Sequence, residues 1–535
     1  MTATAIGSDI GSRFLETARR LGPQPALIDR WGMTTFSELG RDVELLANGF
    51  ILAGLERNQR VAVMMPPSRD FFATTFALFR AGATPVLIDP GLGFANMGRC
   101  LAEAAPDVFV GSPKAHIARF LGRWAPTVAL KISTASFCGL PTLAEMRELG
   151  GRYALNLPTV SGDTRAAILF TSGGTGAPKG VVYEHSMFAA QVETLRAMFD
   201  IKEGERSLAT FPLFGLFDAA LGMTVVIPDM DFSRPGSVYP LAIIEPMQEH
   251  GIQQLFGSPA LLDVVGRFGE RHGIALPGLT RVMSAGAPVS ARILARFSRL
   301  LEPGVPIYTP YGATEALPVT LTDSREILGE TAAMTARGAG ICVGRPVLGV
   351  EVAIIRIDDG PIKTWSEDLR GPKGEVGEIA VKGPMVTGEY FRRVEDMAKA
   401  KIGAEKGFWH RMGDLGYFDA QGRLWFCGRK AHRVTTRGGI LYTICVEGIF
   451  NVHTAVKRTA LVGVGTKPVL CVEREKTATI SNEELKQELL ELAKGHEAAQ
   501  QIQDILFHPN FPVDIRHNAK IFRDKLAVWA AGQMS

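Results

Sequence analysis

The chain has 535 residues and a mass of 57.8 kDa, too long for one compact core, so more than one domain is expected. Hydrophobic residues make up 46% and charged residues 21%, the balance of an ordinary globular protein. A net charge of +3 is small for this length and argues against a nucleic-acid binder that works by charge.

Cys100, Cys138, Cys342, Cys427, Cys445 and Cys471 are scattered, with no zinc-knuckle or redox-pair spacing. Free thiols of this kind suit a reducing compartment, and Met1 to Asp9 lack the basic-then-apolar pattern of a signal peptide. A cytoplasmic location is therefore expected. The longest apolar run, Phe211 to Pro228, is interrupted by Asp218 and by glycines, and reads as core rather than a membrane span.

In chain order, Ile10 to Leu21 reads as a surface helix and Pro25 to Asp29 as a short strand. Thr35 caps a helix, with Glu38 three residues on. Arg60 to Met65, Thr84 to Asp89 and Ala105 to Val110 read as buried strands, with a helix from Asp70 to Ala81 closed by Gly82. Strands alternating with helices imply a parallel α/β sheet with crossover helices.

The run from Ile168 to Tyr183, ILFTSGGTGAPKGVVY, places a Gly/hydroxyl segment between two apolar strands. Thr171, Ser172, Gly173, Gly174, Thr175, Gly176 and Gly180 surround Lys179, the only cation. Glycines let backbone N–H groups crowd an anion, hydroxyls add donors, and the lysine adds a mobile charge. This is a candidate phosphate cradle. It departs from the common P-loop, because Lys179 follows Pro178 and precedes Gly180 rather than Ser or Thr.

Further on, a helix from Ile243 leads into a strand at Gln254, and Ser258 opens the next helix. Arg281 to Pro288 reads as a strand ending in the small-residue turn Gly286, Ala287, Pro288, which can flank a planar ring. Pro306 to Glu315 reads as a strand delivering Tyr311, Gly312, Thr314 and Glu315 at its end, where ligands sit in open α/β sheets. Tyr311 can stack on a purine, Thr314 can donate to a phosphate, and Glu315 is a hard oxygen ligand suited to Mg²⁺. Glycines and short strands between Gly338 and Gly388 read as a small antiparallel β subdomain. Asp414 lies in an apparent Gly-Asp turn.

The segment TSGGTGAPKG resembles the phosphate loop of the acyl-adenylate-forming enzymes: acyl-CoA synthetases, peptide-synthetase adenylation domains and luciferases. Gly174 stands where that family usually has a serine, and YGATE at Tyr311–Glu315 resembles its second signature. The resemblance covers the whole chain. It implies a large domain over 1–428, built of parallel α/β sheets plus a small β subdomain. A small mobile α+β lid over 429–535 follows, with the hinge near Lys430-Ala431. It further implies ATP and Mg²⁺ as cofactors, with Gly286, Ala287 and Pro288 beside adenine, Asp414 and Arg429 on ribose, and Lys520 as the cation that reaches the substrate carboxylate and α-phosphate.

The lid departs from the family at Ala431, Thr443 and Cys445, and keeps Glu447. The family commonly has a histidine gate where Gly215 stands; Phe214 or Phe217 would serve instead. The C-terminal run FPVDIRHNAKIFRDKLAVWA and the VVYEH continuation look like those of the olefin β-lactone synthetases, a bacterial branch of the family.

That likeness implies adenylation of a 2-alkyl-3-hydroxy fatty acid, then displacement of AMP by the β-hydroxyl. It also implies a β-lactone decarboxylase and a 2-alkyl-3-ketoacid reductase as partners, in a complex with this chain, in bacterial long-chain olefin biosynthesis. No residue is assigned as base for ring closure; His185 lies past the loop, where a lone histidine is more often structural. A fatty acyl-CoA or carrier-protein ligase, and a non-catalytic nucleotide binder, stay open as other readings.

Overall fold

The computed structural model describes residues 9–153, 155–171, 178–513 and 520–534. The expected alternation of strands and helices forms a seven-stranded sheet. Its strands Arg60–Met64, Thr84–Ile88, Val108–Gly111, Leu130–Ser133 and Arg165–Thr171 run parallel. They are near-continuous apolar runs because helices cover both faces of such a sheet. The Arg165–Thr171 strand turns back antiparallel on Lys179–Glu184, with Phe170 opposite Gly180. A Cβ at Gly180 would stand 2.7 Å from the Phe170 ring, so this position must be glycine. The short strand Glu389–Tyr390 adds the edge, with Tyr390 opposite Val181.

The second sheet has fourteen strands. Its parallel part holds Pro25–Asp29, Thr224–Val226, Arg206–Ala209, Gln254–Phe256, Arg281–Met283 and Ile307–Ala313. The last of these reverses at Thr314-Glu315 into Ala316–Asp323. The antiparallel strands expected between Gly338 and Gly388 are hydrogen-bonded onto this strand, through Thr320–Pro346 and Leu321–Arg345. They extend the large sheet instead of forming a detached one. Phe408–Phe418 lies among them, so Asp414 sits within a strand and not in a turn. Gly413, at φ +66°, absorbs the irregularity that reads as a turn in the sequence.

After Arg429 come a hairpin of Val434–Thr436 and Gly439–Leu441, the helix Thr443–Phe450, and a three-stranded sheet of Val456–Val464, Lys467–Arg474 and Asp504–Phe507. This region packs its own apolar cluster around Ile449, Phe450, Leu461, Leu470 and Leu485. The helix Asn482–Lys494 begins in a capping box between Ser481 and Glu484. Buried Glu447 accepts from the Leu461 amide at 2.7 Å and from Arg523 at 2.9 Å.

Helices Phe36–Leu52 and Leu143–Arg152 touch backbone to backbone. A Cβ on Gly150 would lie 1.9 Å from the Leu45 carbonyl oxygen, whereas one on Gly151 meets only a Leu45 methyl at 3.6 Å. Gly150→Ala is expected to cost about 1–3 kcal/mol or more in urea unfolding. Gly151→Ala should be neutral or stabilising by up to about 1 kcal/mol. Equal effects would contradict this helix contact.

Candidate active site

The Thr314-Glu315 reversal belongs to the fourteen-stranded sheet, yet the seven-stranded sheet holds it. Tyr183, on the strand after the glycine-rich segment, donates its hydroxyl to the Thr314 carbonyl. Tyr390, on the edge strand, donates to Glu315 Oε1 at 2.6 Å. The Thr387 amide donates to the Glu315 carbonyl at 2.8 Å. Burial and the nearby Glu315 charge raise the pKa of both tyrosines, so each remains a donor.

Around this turn lies a cavity of about 590 Å³. Lys179, Thr314, Glu315, Tyr390, Asp396, Arg429 and Lys520 line its polar part. Lys179 Nζ pairs with Asp396 at 2.7 Å and lies 5.1 Å above the Tyr390 ring. Behind Tyr390, Lys401 donates to the Thr387 carbonyl. Burial pushes its pKa down to about 7, against the attraction of Glu315. His410 is buried beside it and is driven well below the usual imidazole range by burial and by the Lys401 charge.

Tyr311 and Asp414 stand directly behind this lining. Tyr311 donates to Asp414 Oδ2 at 2.7 Å, and the Arg429 guanidinium lies 3.2 Å from Oδ1. Among the described residues Oδ1 has no aligned hydrogen-bond donor. Burial raises the Asp414 pKa, while Arg429 and the Tyr311 hydroxyl oppose the rise. A buried acceptor with capacity left over fits a ribose hydroxyl.

The other part of the cavity is apolar and aromatic. Phe188, Phe211, Phe214, Phe217, Phe232 and Phe256 line it. The Phe214 ring packs 4.3 Å from Phe256, and Phe217 lies 5.6 Å from Phe188. Both expected gate residues therefore face the cavity. Gly215 does not: a Cβ there would point at Phe72, Ala209 and Val225, at 3.0 to 3.3 Å, inside the core.

Gly286, at φ +95°, and Gly312 also line the cavity. Ala287 and Pro288 continue the turn beyond the lining residues, and Pro288 is exposed. Thr171 ends its strand, and Ser172, Gly173, Gly174, Thr175 and Gly176 lie outside the described residues. His185 is fully buried; its Nδ1 accepts from the Ile10 amide at 3.4 Å, its ring packs on Phe79, and it is not among the lining residues. Burial pushes its pKa down to about 4, so the structure gives it a packing role.

Sequence reasoning left Tyr183, Tyr390 and Asp396 unassigned. Tyr183 was visible in the ILFTSGGTGAPKGVVY run, two residues past a strand position already read as buried. The signal for Tyr390 and Asp396 is weaker, because only pairing of the Glu389–Tyr390 edge strand brings Tyr390 to the turn, and Asp396 reaches Lys179 from the helix Val394–Ala400 that follows.

Residues 14–391 match the AMP-binding enzyme family. The chain is 47% identical to an olefin β-lactone synthetase of Stenotrophomonas maltophilia over 515 residues, 93% of this chain and 91% of the relative. It is 48% identical to the olefin β-lactone synthetase of Xanthomonas campestris over 512 residues, again 93% and 91%. Among solved structures, its fold is similar to that of an o-succinylbenzoate CoA synthetase from Bacillus subtilis in complex with ATP and magnesium. The TM-score is 0.75 at 20% identity, covering 96% of this chain and 99% of that one.

Removing the two tyrosine hydroxyls tests the turn. A hydrogen bond to a charged group contributes about 1.5–3 kcal/mol, so Tyr390→Phe should slow ATP-dependent pyrophosphate release by roughly 10- to 100-fold. Tyr183→Phe loses a neutral bond of about 0.5–1.5 kcal/mol and should slow it by roughly 2- to 10-fold. The reverse order, or no effect from either, would contradict the role given to these bonds.

Proposed function

We propose, for a chain that belongs to the AMP-binding enzyme family and groups within it with the olefin β-lactone synthetases, an ATP-dependent β-lactone synthetase acting on a 2-alkyl-3-hydroxy fatty acid. The observation that carries this reading is near-half identity to two such synthetases across nine-tenths of both chains. The division of the cavity into a cationic part and an aromatic part supports it.

In the first step a carboxylate oxygen attacks the α-phosphorus of ATP, and pyrophosphate leaves. Two anions must meet, so the protein's task is positioning and charge neutralisation. Lys179, Arg429 and Lys520 supply fixed or mobile positive charge along the polar wall. Asp414 and Arg429 hold the ribose, the Gly286 turn borders the adenine, and Thr314 donates to phosphate. Phe214 and Phe217 wall the alkyl chains.

Among the described residues no group of three or more His, Cys, Asp or Glu side chains is placed to hold a metal. Glu315 alone fits Mg²⁺, which takes one or two carboxylates and completes its shell with phosphate oxygens and water. When bound, Mg²⁺ would neutralise phosphate charge beside Glu315.

In the second step the substrate's β-hydroxyl attacks the adenylate carbonyl. The C–O bond of the four-membered ring forms, AMP leaves with a carboxylate oxygen, and the hydroxyl proton is lost. Tethering the nucleophile to its electrophile gives an effective molarity on the order of 10⁵ M or more, which offsets part of the ring strain. No CoA is needed. We place the boundary of a mobile lid after residue 428, with Ala431 as pivot. Its neighbour Lys430 is tied to Glu378 at 3.0 Å and to the Asp358 carbonyl at 2.7 Å. A reductase acting on a 2-alkyl-3-ketoacid would supply the substrate and a β-lactone decarboxylase would consume the product, in a complex with this enzyme.

With MgATP and a synthetic 2-alkyl-3-hydroxy fatty acid, lactone and AMP are expected without CoA, read by proton NMR. A thioester formed only with CoA would instead make the protein an acyl-CoA ligase. Lys520→Ala should reduce pyrophosphate release by about 100-fold or more; an unchanged rate would remove the lysine from the mechanism.

A further inference from the structure

The helix Pro113–Leu121 carries an apolar face that no described residue covers. Its N-cap Ser112 accepts from the Ala115 amide. His116 faces inward, with Nε2 at 3.0 Å from the Ile132 carbonyl. The outward residues are Ile117, Phe120 and Leu121, exposed by 47%, 76% and 71%. These are large apolar side chains, and on a helix they fall within one arc.

The face continues onto the next helix. Phe94, 53% exposed, opens the helix Phe94–Ala104, and its ring lies 4.3 Å from Trp124. Trp124 itself is buried between the two helices: a Cβ at Gly98 or Gly122 would collide with its ring nitrogen at 2.6 or 2.3 Å. The two glycines let the helix ends close over the indole, so Phe94, Phe120 and Leu121 belong to one rigid surface rather than to a loose loop.

Charge along the chain segment that forms this surface has a single sign. From Val108 to Ala144 there is no aspartate or glutamate, while Lys114, Arg119, Arg123 and Lys131 fall within the same stretch. Lys114 and Arg123 are exposed at the two ends of the helix, and Arg99 is exposed on its neighbour. The nearest preceding acids are already paired, Glu103 with Arg393 at 2.5 Å and Asp107 with Arg60 at 3.1 Å. Exposed aromatic and aliphatic side chains rimmed by cations, with no anions among them, are the composition of an interfacial helix. Juxtamembrane cations are drawn to anionic headgroups while apolar side chains sink below them.

We propose that the face formed by Phe94, Ile117, Phe120 and Leu121, with Lys114 and Arg123 at its rim, docks on an anionic lipid bilayer. The occupant is a bilayer because a one-sign rim complements a headgroup plane. This docking does not depend on the reaction catalysed. It would bring the enzyme to the phase in which long alkyl chains partition.

The test is co-sedimentation of the full chain with phosphatidylglycerol vesicles and with phosphatidylcholine vesicles, without substrate. Binding is expected to phosphatidylglycerol only, and to weaken as salt is raised. Phe120→Glu/Leu121→Glu should lower the bound fraction by about tenfold or more. Lys114→Ala/Arg123→Ala should weaken binding by about 25-fold, roughly fivefold for each cation. Both double variants should keep pyrophosphate release on detergent-dispersed substrate, which shows that they fold. The proposal is overturned if neither lipid is bound, if both are bound equally and without salt dependence, or if the variants bind as the parent does. It is also overturned if sedimentation shows that the Phe120→Glu/Leu121→Glu variant loses a self-association of the parent that vesicles do not compete with. The face would then be a protein interface.

Discussion

Two tyrosine hydroxyls join the sheets at the point where the chemistry is placed. Tyr183 and Tyr390 are neighbours across the seven-stranded sheet, on adjoining strands. Their partners, the Thr314 carbonyl and the Glu315 carboxylate, form the reversal of the fourteen-stranded sheet. Neither sheet alone fixes that turn. The strand carrying Tyr183 also carries Lys179, so a single rigid element positions both that cation and the turn with the expected metal carboxylate. The Glu315 position is then set by sheet packing and not by the conformation of a loop, as a preorganised electrostatic site requires.

The cavity beside that turn is lined by two kinds of side chain. One set is Lys179 with Asp396, Arg429 backed by Asp414, and Lys520; the other is the phenylalanines of the Phe211–Phe217 run and Phe232 and Phe256. A small-molecule acid with long alkyl arms needs both environments within a few bonds of each other. Asp396 keeps Lys179 paired, so that cation is held in place and neutralised until a stronger anion competes for it. Lys401, buried behind Tyr390 with its pKa near 7, adds positive potential behind Glu315 without entering the cavity.

Much of this was legible in the sequence, for identifiable reasons. The strands around Ile168 and Val181 are apolar runs interrupted by a glycine-rich segment, a pattern that survives in any tertiary context. Thr35 and Ser258 cap helices where a hydroxyl residue precedes an amphipathic run. Asp414 misled because a Gly-Asp pair is a turn signal, and here Gly413 takes a positive φ inside a long strand. The expected gate residues Phe214 and Phe217 face the cavity, whereas the sequence does not say that Gly215 faces the core, where its missing Cβ makes room for Phe72. The tyrosine clasp was hidden because its members are far apart in the chain and meet only when two sheets pack. His185, read in the sequence as more often structural than catalytic, is buried against Phe79 and Ile10.

The central claim is that the carboxylate, and not the hydroxyl, is activated. Substrate labelled with ¹⁸O in the carboxylate, turned over with MgATP and analysed by mass spectrometry, tests it directly. Carboxylate activation predicts one labelled oxygen in AMP, one in the lactone carbonyl, and an unlabelled ring oxygen from the β-hydroxyl. Unlabelled AMP, with both labelled oxygens kept in the lactone, would mean that the hydroxyl was activated and displaced, and would contradict the account.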